Sequence, residues 1–260
     1  SIGFAVGLGN IWRFPYITGE NGGAAFVLVY LVCVVVIGVP ILMAEILLGR
    51  QGGLSPPNTL KSVAHSQGRS HHWQWVGHMN LLAAFTILIV YCVIAGWVLQ
   101  YLHSAIVSGF VNVDGLIANQ QFEALLNDNS TMYFWTLLSL LITGSIIYAG
   151  VQKGIERAVV ILMPMLFILL LVLVIYNMVA GGFKEALHYL FAADFSKIDG
   201  SVFLAAMGQA FFSIGVGMAA MMTYGAYLPQ SISIPRSVLL IIFADTVVAL
   251  LAGLVIFPAV

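Results

Sequence analysis

The sequence predicts an all-α integral membrane protein, and three observations carry that expectation. Of its 260 residues 61% are hydrophobic and only 7% charged, whereas a soluble domain carries about 25% charged residues. Seven stretches are long enough to cross a bilayer core, which takes about 20 apolar residues as helix. Two of the seven, the first and the sixth, are interrupted by glycine and polar residues, which a helix surrounded by lipid does not tolerate without outside partners.

The stretches are read at roughly 1–18, 24–48, 76–101, 132–151, 158–180, 202–227 and 237–260. Four are clean; the seventh contains an acid, Asp245. The net charge of −1 excludes a polybasic nucleic-acid binder. Cys33 and Cys92 both sit inside apolar runs and read as small buried hydrophobes rather than a disulfide or metal ligands. The first run lacks a basic n-region and a small-residue cleavage site, so it does not read as a signal peptide. The chain opens already inside an apolar run, and a preceding segment is expected.

Orientation follows from lysine and arginine in the short loops. Arg50, Lys61, Arg69, Lys153, Arg157 and Arg236 fall on one side. Lys184 and Lys197 fall on the other, where Asp114, Glu123, Asp128, Glu185, Asp194 and Asp199 also gather. The start of the chain is therefore expected in the cytoplasm, with 102–131 and 181–201 outside. A rhodopsin-like receptor runs the other way, and the seventh span has no lysine for a retinal Schiff base. Trp73, Trp75, Trp97, Tyr101, Tyr133 and Trp135 lie near span ends and suit an interfacial aromatic belt. His65, His71 and His72 read as solvated loop residues, and Asn129-Ser130-Thr131 is a glycosylation triplet of a kind that arises by chance.

The chemistry concentrates in the interrupted spans. The first reads Gly3-Phe4-Ala5-Val6-Gly7-Leu8-Gly9-Asn10 and then Ile11-Trp12-Arg13-Phe14-Pro15, with three glycines in seven residues. The sixth contains Phe211-Phe212-Ser213-Ile214-Gly215-Val216-Gly217. Taken singly, either set of glycines could equally serve close helix packing. Two such spans in corresponding positions favour a binding site between inverted repeats. The N-terminal end of a half-helix offers free N–H groups and partial positive charge, suited to a carboxylate. Carbonyls freed before a break, at Gly3, Ala5 and Val6, suit an ammonium or an alkali cation, and Asn10 and Ser213 add side-chain oxygens. Asp245 sits at membrane depth, at a cost of about 2.5–3.5 kcal/mol on insertion scales, and is a functional candidate by default. Sodium ligation and proton relay both remain open for it. Glu45 lies near the end of the second span, within reach of the interface or of Arg50.

At these residues the sequence resembles the neurotransmitter:sodium symporter family, including the bacterial leucine and hydrophobic amino-acid transporters. The matching stretches are AVGLGNIWRFPY at 5–16, ENGGAAF at 20–26, GR at 49–50, KGIER at 153–157 and GQAFF at 208–212. The resemblance implies a leucine-transporter-like fold of two inverted five-span repeats with helices 1 and 6 discontinuous. Residues 1–180 would be the first repeat and 181–260 the start of the second, so the chain resembles a truncated form ending after span seven. It implies a sodium-coupled symporter rather than an enzyme, with an amino-acid substrate, sodium ions and no organic cofactor. A multi-pass location in a bacterial inner membrane follows.

Residue by residue, the resemblance implies a first sodium site from Ala5, Asn10, Ser213 and Asp245. A second would use the carbonyls of Gly3 and Val6, with its other ligands in an eighth span. The substrate carboxylate would meet the Leu8 and Gly9 amides and the Tyr91 hydroxyl, and its amino group the carbonyls of Ala5, Phe212, Ser213 and Gly215. Tyr91 and Phe212 resemble a lid over the pocket, Arg13 an outer gate. Gly154 and Pro164 match a spacing linked in relatives to unwinding of the fifth span. Gly215, Met218 and Ile87 imply room for an apolar or aromatic substrate side chain, while Phe4 stands where several relatives have a small or polar residue.

Ala249 stands where chloride-dependent members have serine, although Tyr30, Gln209 and Ser213 match their other chloride ligands. Asp245 replaces an asparagine of many relatives, and its carboxylate is expected to substitute for chloride. The rival expectations are a non-transporting membrane fragment and a proton-coupled amino-acid transporter. A channel is disfavoured because the polar groups cluster in two spans instead of lining a pore. An intramembrane enzyme is disfavoured because the spans hold no metalloprotease, nucleophile-elbow or paired-acid motif.

Overall fold

In the computed structural model, described for residues 2–107, 109, 115–192 and 194–259, the chain is helical with no strand among the described residues. Asp114 and the side chain of Phe4 fall outside what is described.

The first apolar stretch forms three pieces. Helix α1 (Ile2–Ala5) ends where Val6 and Gly7 bend, a π-helical turn runs Gly9–Arg13, and α2 (Phe14–Glu20) follows, started by Pro15. Proline suits a first turn because its missing N–H has no partner there anyway. The second stretch is continuous, as α3 (Ala24–Cys33), a π-helical segment Val34–Gly38 and α4 (Val39–Gly52). Gly53, left-handed at φ 61°, stops it.

After α5 (Pro56–Ser66), α6 (Gln74–Val107) runs 34 residues, beyond both ends of the apolar run at 76–101. Hydropathy marks only the lipid-facing part of a helix; hydrogen bonding carries it on into the polar ends. Next come α7 (Gly115–Asn127), α8 (Asn129–Tyr148), a π-helical turn Val151–Glu156 and α9 (Arg157–Ala180). Then α10 (Phe183–Phe191) precedes the sixth stretch, which forms α11 (Gly200–Ile214) and α12 (Ala220–Ala226), and α13 (Ile234–Ile256) completes the order. Helices α5, α7 and α10 lie in segments read from sequence as loops. Each is too short to span, and α10 is tied down by burying Ala186 and Leu190.

Five helical stretches among the described residues are long and apolar enough to cross a membrane: Ala24–Gly52, His71–Val107, Asn129–Tyr148, Lys153–Val179 and Ile234–Ile256. The first and sixth stretches do not qualify because each is divided into short pieces.

The chain divides into two compact units, residues 1–83 with 162–260, and residues 84–161. In the first, Phe14, Phe26 and Tyr30 are fully buried, with Phe14 and Tyr30 ring centroids 5.1 Å apart. Around them pack Leu42, Ala206, Ala210, Ile214, Val238 and Ile241. Helices α4 and α12 touch backbone to backbone: a Cβ on Gly49 would strike the Met222 carbonyl oxygen, and one on Gly225 the Ile46 carbonyl oxygen. In the second unit, Gly96 of α6 packs against the Thr136 backbone of α8, and the Ser139 hydroxyl donates to the Cys92 carbonyl at 2.9 Å.

Candidate functional site

The two interruptions and α13 converge in the first unit. At the first, the Gly7 carbonyl accepts the Asn10 and Ile11 amides at 3.1 and 3.2 Å, and the Gly7 N–H donates back to Asn10 Oδ1 at 3.0 Å. The bend is thus held by the asparagine side chain. Glycine at position 9 is needed for close approach: a Cβ there would come within 3.3 Å of Phe212 and 3.5 Å of the Ser213 Cα.

Asn10 then reaches across. Its Nδ2 donates to Asp245 Oδ1 at 2.8 Å, to the Asp245 carbonyl at 3.0 Å and toward Ser213 Oγ at 3.1 Å. The Ser213 hydroxyl faces both Asp245 oxygens at 3.0 and 2.9 Å, and the Tyr30 hydroxyl donates to Oδ2 at 3.2 Å. Asn10, Tyr30 and Asp245 are wholly removed from the surface and Ser213 nearly so. Among the described residues the donors to the carboxylate, Asn10, Tyr30 and Ser213, are all neutral. They satisfy its lone pairs but leave its negative charge in a low-dielectric interior, where an unpaired charge is costly. A small cation would supply the missing compensation. Among the described residues no three His, Cys, Asp or Glu side chains come together, and amide, hydroxyl, carbonyl and carboxylate oxygens are ligands for a hard cation rather than a transition metal.

Gln209, expected alongside Tyr30 and Ser213, points elsewhere. Its amide donates to the Gly9 carbonyl at 2.9 Å and its Oε1 accepts from Arg13 at 2.6 Å. The Arg13 guanidinium also lies 4.6 Å from the Phe212 ring centre, within cation–π range. Arg13, Gln209 and Phe212 thus tie the two interrupted spans together.

At the second interruption, Gly215, Gly217 and Ala219 all take left-handed backbone, at φ 72°, 80° and 58°. The alanine is the strained member, since only glycine adopts that region without a Cβ penalty. The freed groups of Gly217 are met from two other helices. Its N–H donates to Glu45 Oε1 of α4 at 2.7 Å, and the side-chain amide of Asn80 in α6 donates to its carbonyl at 3.2 Å. Glu45 is buried, and its other oxygen has no hydrogen-bond partner among the described residues. The expected reach toward Arg50 is replaced: Arg50 donates to the Ile232 carbonyl at 2.8 Å. Sequence reading missed this bridge because Gly217 lies 172 residues from Glu45.

The remaining predicted residues are positioned as follows. Ala5 and Val6 are buried at the end of α1, where Gly3 is half-buried, and Leu8 is half-buried next to Gly9. Phe212 and Met218 are half-buried and Gly215 is buried. Ile87 and Tyr91 belong to the second unit, half-buried and four residues apart on one face of α6. Gly154 is buried in the π-helical turn, where a Cβ would strike the Ile146 carbonyl oxygen. Pro164 lies inside α9, where it withholds a backbone donor.

Interrupted helices meeting at a desolvated carboxylate, among helices long enough to span a bilayer, are the arrangement of a multi-pass membrane protein with a buried polar centre. Comparisons agree on its class. The model of the sodium:neurotransmitter symporter family matches residues 1–112 and 119–260, and the chain belongs to that family. It is 36% identical over 264 residues to an uncharacterized sodium-dependent transporter of Haemophilus influenzae, covering 99% of this chain and 58% of that protein. It is 34% identical over 258 residues to the sodium-dependent transporter YhdH of Bacillus subtilis, covering 99% and 56%. The crystal structure of MhsT in complex with L-phenylalanine superposes with a TM-score of 0.90 at 43% identity, over 99% of this chain and 58% of that one. The chain therefore spans somewhat more than half the length of these relatives.

Proposed function

We propose that the protein couples the inward movement of sodium to that of a hydrophobic or aromatic amino acid by alternating access, and that it does so without chloride. The observation that carries this reading is the buried cluster of Asn10, Ser213 and Asp245, which joins both interrupted spans through a carboxylate whose donors among the described residues are all neutral. A first sodium ion would be held there with the Ala5 carbonyl, and a second near the carbonyls of Gly3 and Val6. The substrate would use the Leu8 and Gly9 amides and the carbonyls near Ser213 and Gly215, under Phe212. Ile87 and Tyr91 stay in the substrate set on sequence resemblance alone, as do Gly154 and Pro164 in an opening fifth span. The likeness to a phenylalanine-bound structure supports an aromatic or other hydrophobic substrate.

Chloride independence follows from charge. Tyr30 and Ser213, matched to chloride ligands, both donate to the Asp245 carboxylate, so the anion they would otherwise gather is already covalently present. In this reading residues 1–180 and 181–260 are the first repeat and the start of the second, with the start of the chain in the cytoplasm of a bacterial cell.

The test is uptake of labelled L-phenylalanine into proteoliposomes. Uptake should follow an inward sodium gradient, not a potassium or proton gradient of equal size, and should persist when gluconate replaces chloride. Loss of most uptake in gluconate would overturn chloride independence, and uptake driven equally by protons would overturn sodium coupling.

A further inference from the structure

Below the end of α4 lies an apolar cavity of about 490 Å³, within the roughly 300–1,000 Å³ of small-molecule sites. Leu48 of α4, Leu60, Val63 and Ala64 of α5, and Trp73 line it, with Arg69 as the charged member of the lining. The walls are fixed. Thr59 Oγ1 donates to the Leu54 carbonyl at 2.9 Å, and Gly77 of α6 allows the Pro57 backbone so close that a Cβ would sit 2.6 Å from its Cα. Past α5 the chain turns at Gly68, and the Arg69 N–H donates to the Ala64 carbonyl at 2.8 Å, which brings the arginine back over the cavity wall.

The described lining carries Arg69 and no acid. Between Glu45 and Asp114 the sequence has no Asp or Glu, while Arg50, Lys61 and Arg69 fall there. Lys61 and Arg69 are exposed, as is Trp73 at 54%. An apolar slot at the end of a membrane-spanning helix, with an exposed tryptophan and an exposed arginine and no acid among its described lining residues, matches the layered chemistry of a lipid: acyl chain inside, anionic headgroup at the rim.

We infer that this cavity binds the acyl chain of an anionic glycerophospholipid whose phosphate is held by Arg69. The inference rests on the reading of the chain as a membrane protein, not on its transported substrate. The test is native mass spectrometry of the protein released from nanodiscs of phosphatidylglycerol or phosphatidylcholine with identical acyl chains. The wild type should retain phosphatidylglycerol roughly fivefold better, the increment of one basic side chain near the headgroups. Arg69→Gln, an exposed position, should bring retention down to the phosphatidylcholine level, and Ala64→Trp, which fills the slot, should lower retention of both lipids. A melting temperature of Arg69→Gln in detergent equal to that of the wild type separates loss of lipid from loss of fold. Equal retention of the two lipids by the wild type overturns the inference. So does a preference that survives Arg69→Gln, and so does retention unchanged by Ala64→Trp, the outcome if another part of the protein fills the slot.

Discussion

Asp245 and Asn10 were legible in sequence because each breaks a local rule: an acid inside an apolar span, and an amide directly after a glycine-rich break. Asn10 and Ser213 were paired as oxygen donors from the broken spans, but their grouping with Asp245 came from resemblance, and the distances among the three are what turn it into a physical argument. Neutralising the carboxylate by Asp245→Asn removes its negative charge and nothing else of size. We expect uptake by that variant to become chloride-dependent; uptake by the variant at the wild-type level in gluconate would refute this. Two exposed acids make a different prediction. Asp199 accepts from the Ser201 hydroxyl and from the Val202 and Ser201 amides at the start of α11, and Asp128 accepts from Thr131 and Ser130 at the start of α8. These hydrogen bonds, led by the hydroxyls of Ser201 and Thr131, hold both carboxyls below their ordinary value of 3.8. Since folding depresses these values, the cap stabilises fully above the ordinary value and is lost as pH falls through the lower, folded one. Amide exchange in the first turns of α8 and α11 should quicken between neutral pH and pH about 3, relative to mid-helix amides. Asp199→Asn should flatten that response for α11, and an unaltered response would contradict the cap.

Among the elements, the glycines divide between two tasks that sequence alone leaves open. Gly49 and Gly225 serve contact, letting α4 and α12 meet at backbone distance, as small residues do between membrane helices. Gly215 and Gly217 serve conformation, with positive φ across the interruption of the sixth stretch. Gly7 does neither, since a Cβ there would meet nothing within 4 Å. Hydropathy patterning cannot distinguish these roles, because packing and bending both ask for the same small residue. Gly49→Ala should therefore cost at least about 1–3 kcal/mol through overpacking, while Gly7→Ala should be tolerated sterically. Thermal unfolding in detergent checks the pair, and equal melting temperatures would contradict the division. The Glu45–Gly217 bridge belongs to this scale too. Glu45→Gln keeps an acceptor for the Gly217 amide, whereas Glu45→Ala strands that N–H at the interruption. The alanine variant should melt lower than the glutamine variant; the reverse order would show that the bridge does not hold the break.

At the scale of the molecule, composition and span length sufficed for the membrane class, since lipid forces every backbone group into internal hydrogen bonds and leaves helices as the open-ended solution. The long spans were placed to within several residues at most ends, and the largest misplacement falls where a helix outruns its apolar run, as α6 does. The short helix α10 was not legible, because what orders it is tertiary contact: Leu190 is buried in the core with partners distant in sequence. The central claim joins these scales. Two interrupted helices bring neutral donors around one carboxylate, and we propose that this carboxylate gives sodium a site without chloride. Equilibrium binding of radiolabelled sodium to the purified protein in chloride-free buffer tests it most directly, with wild type set against Asp245→Asn. The account predicts saturable binding by the wild type, weakened at least about tenfold in the variant and restored in part by added chloride. Wild-type affinity in the variant without chloride would contradict it.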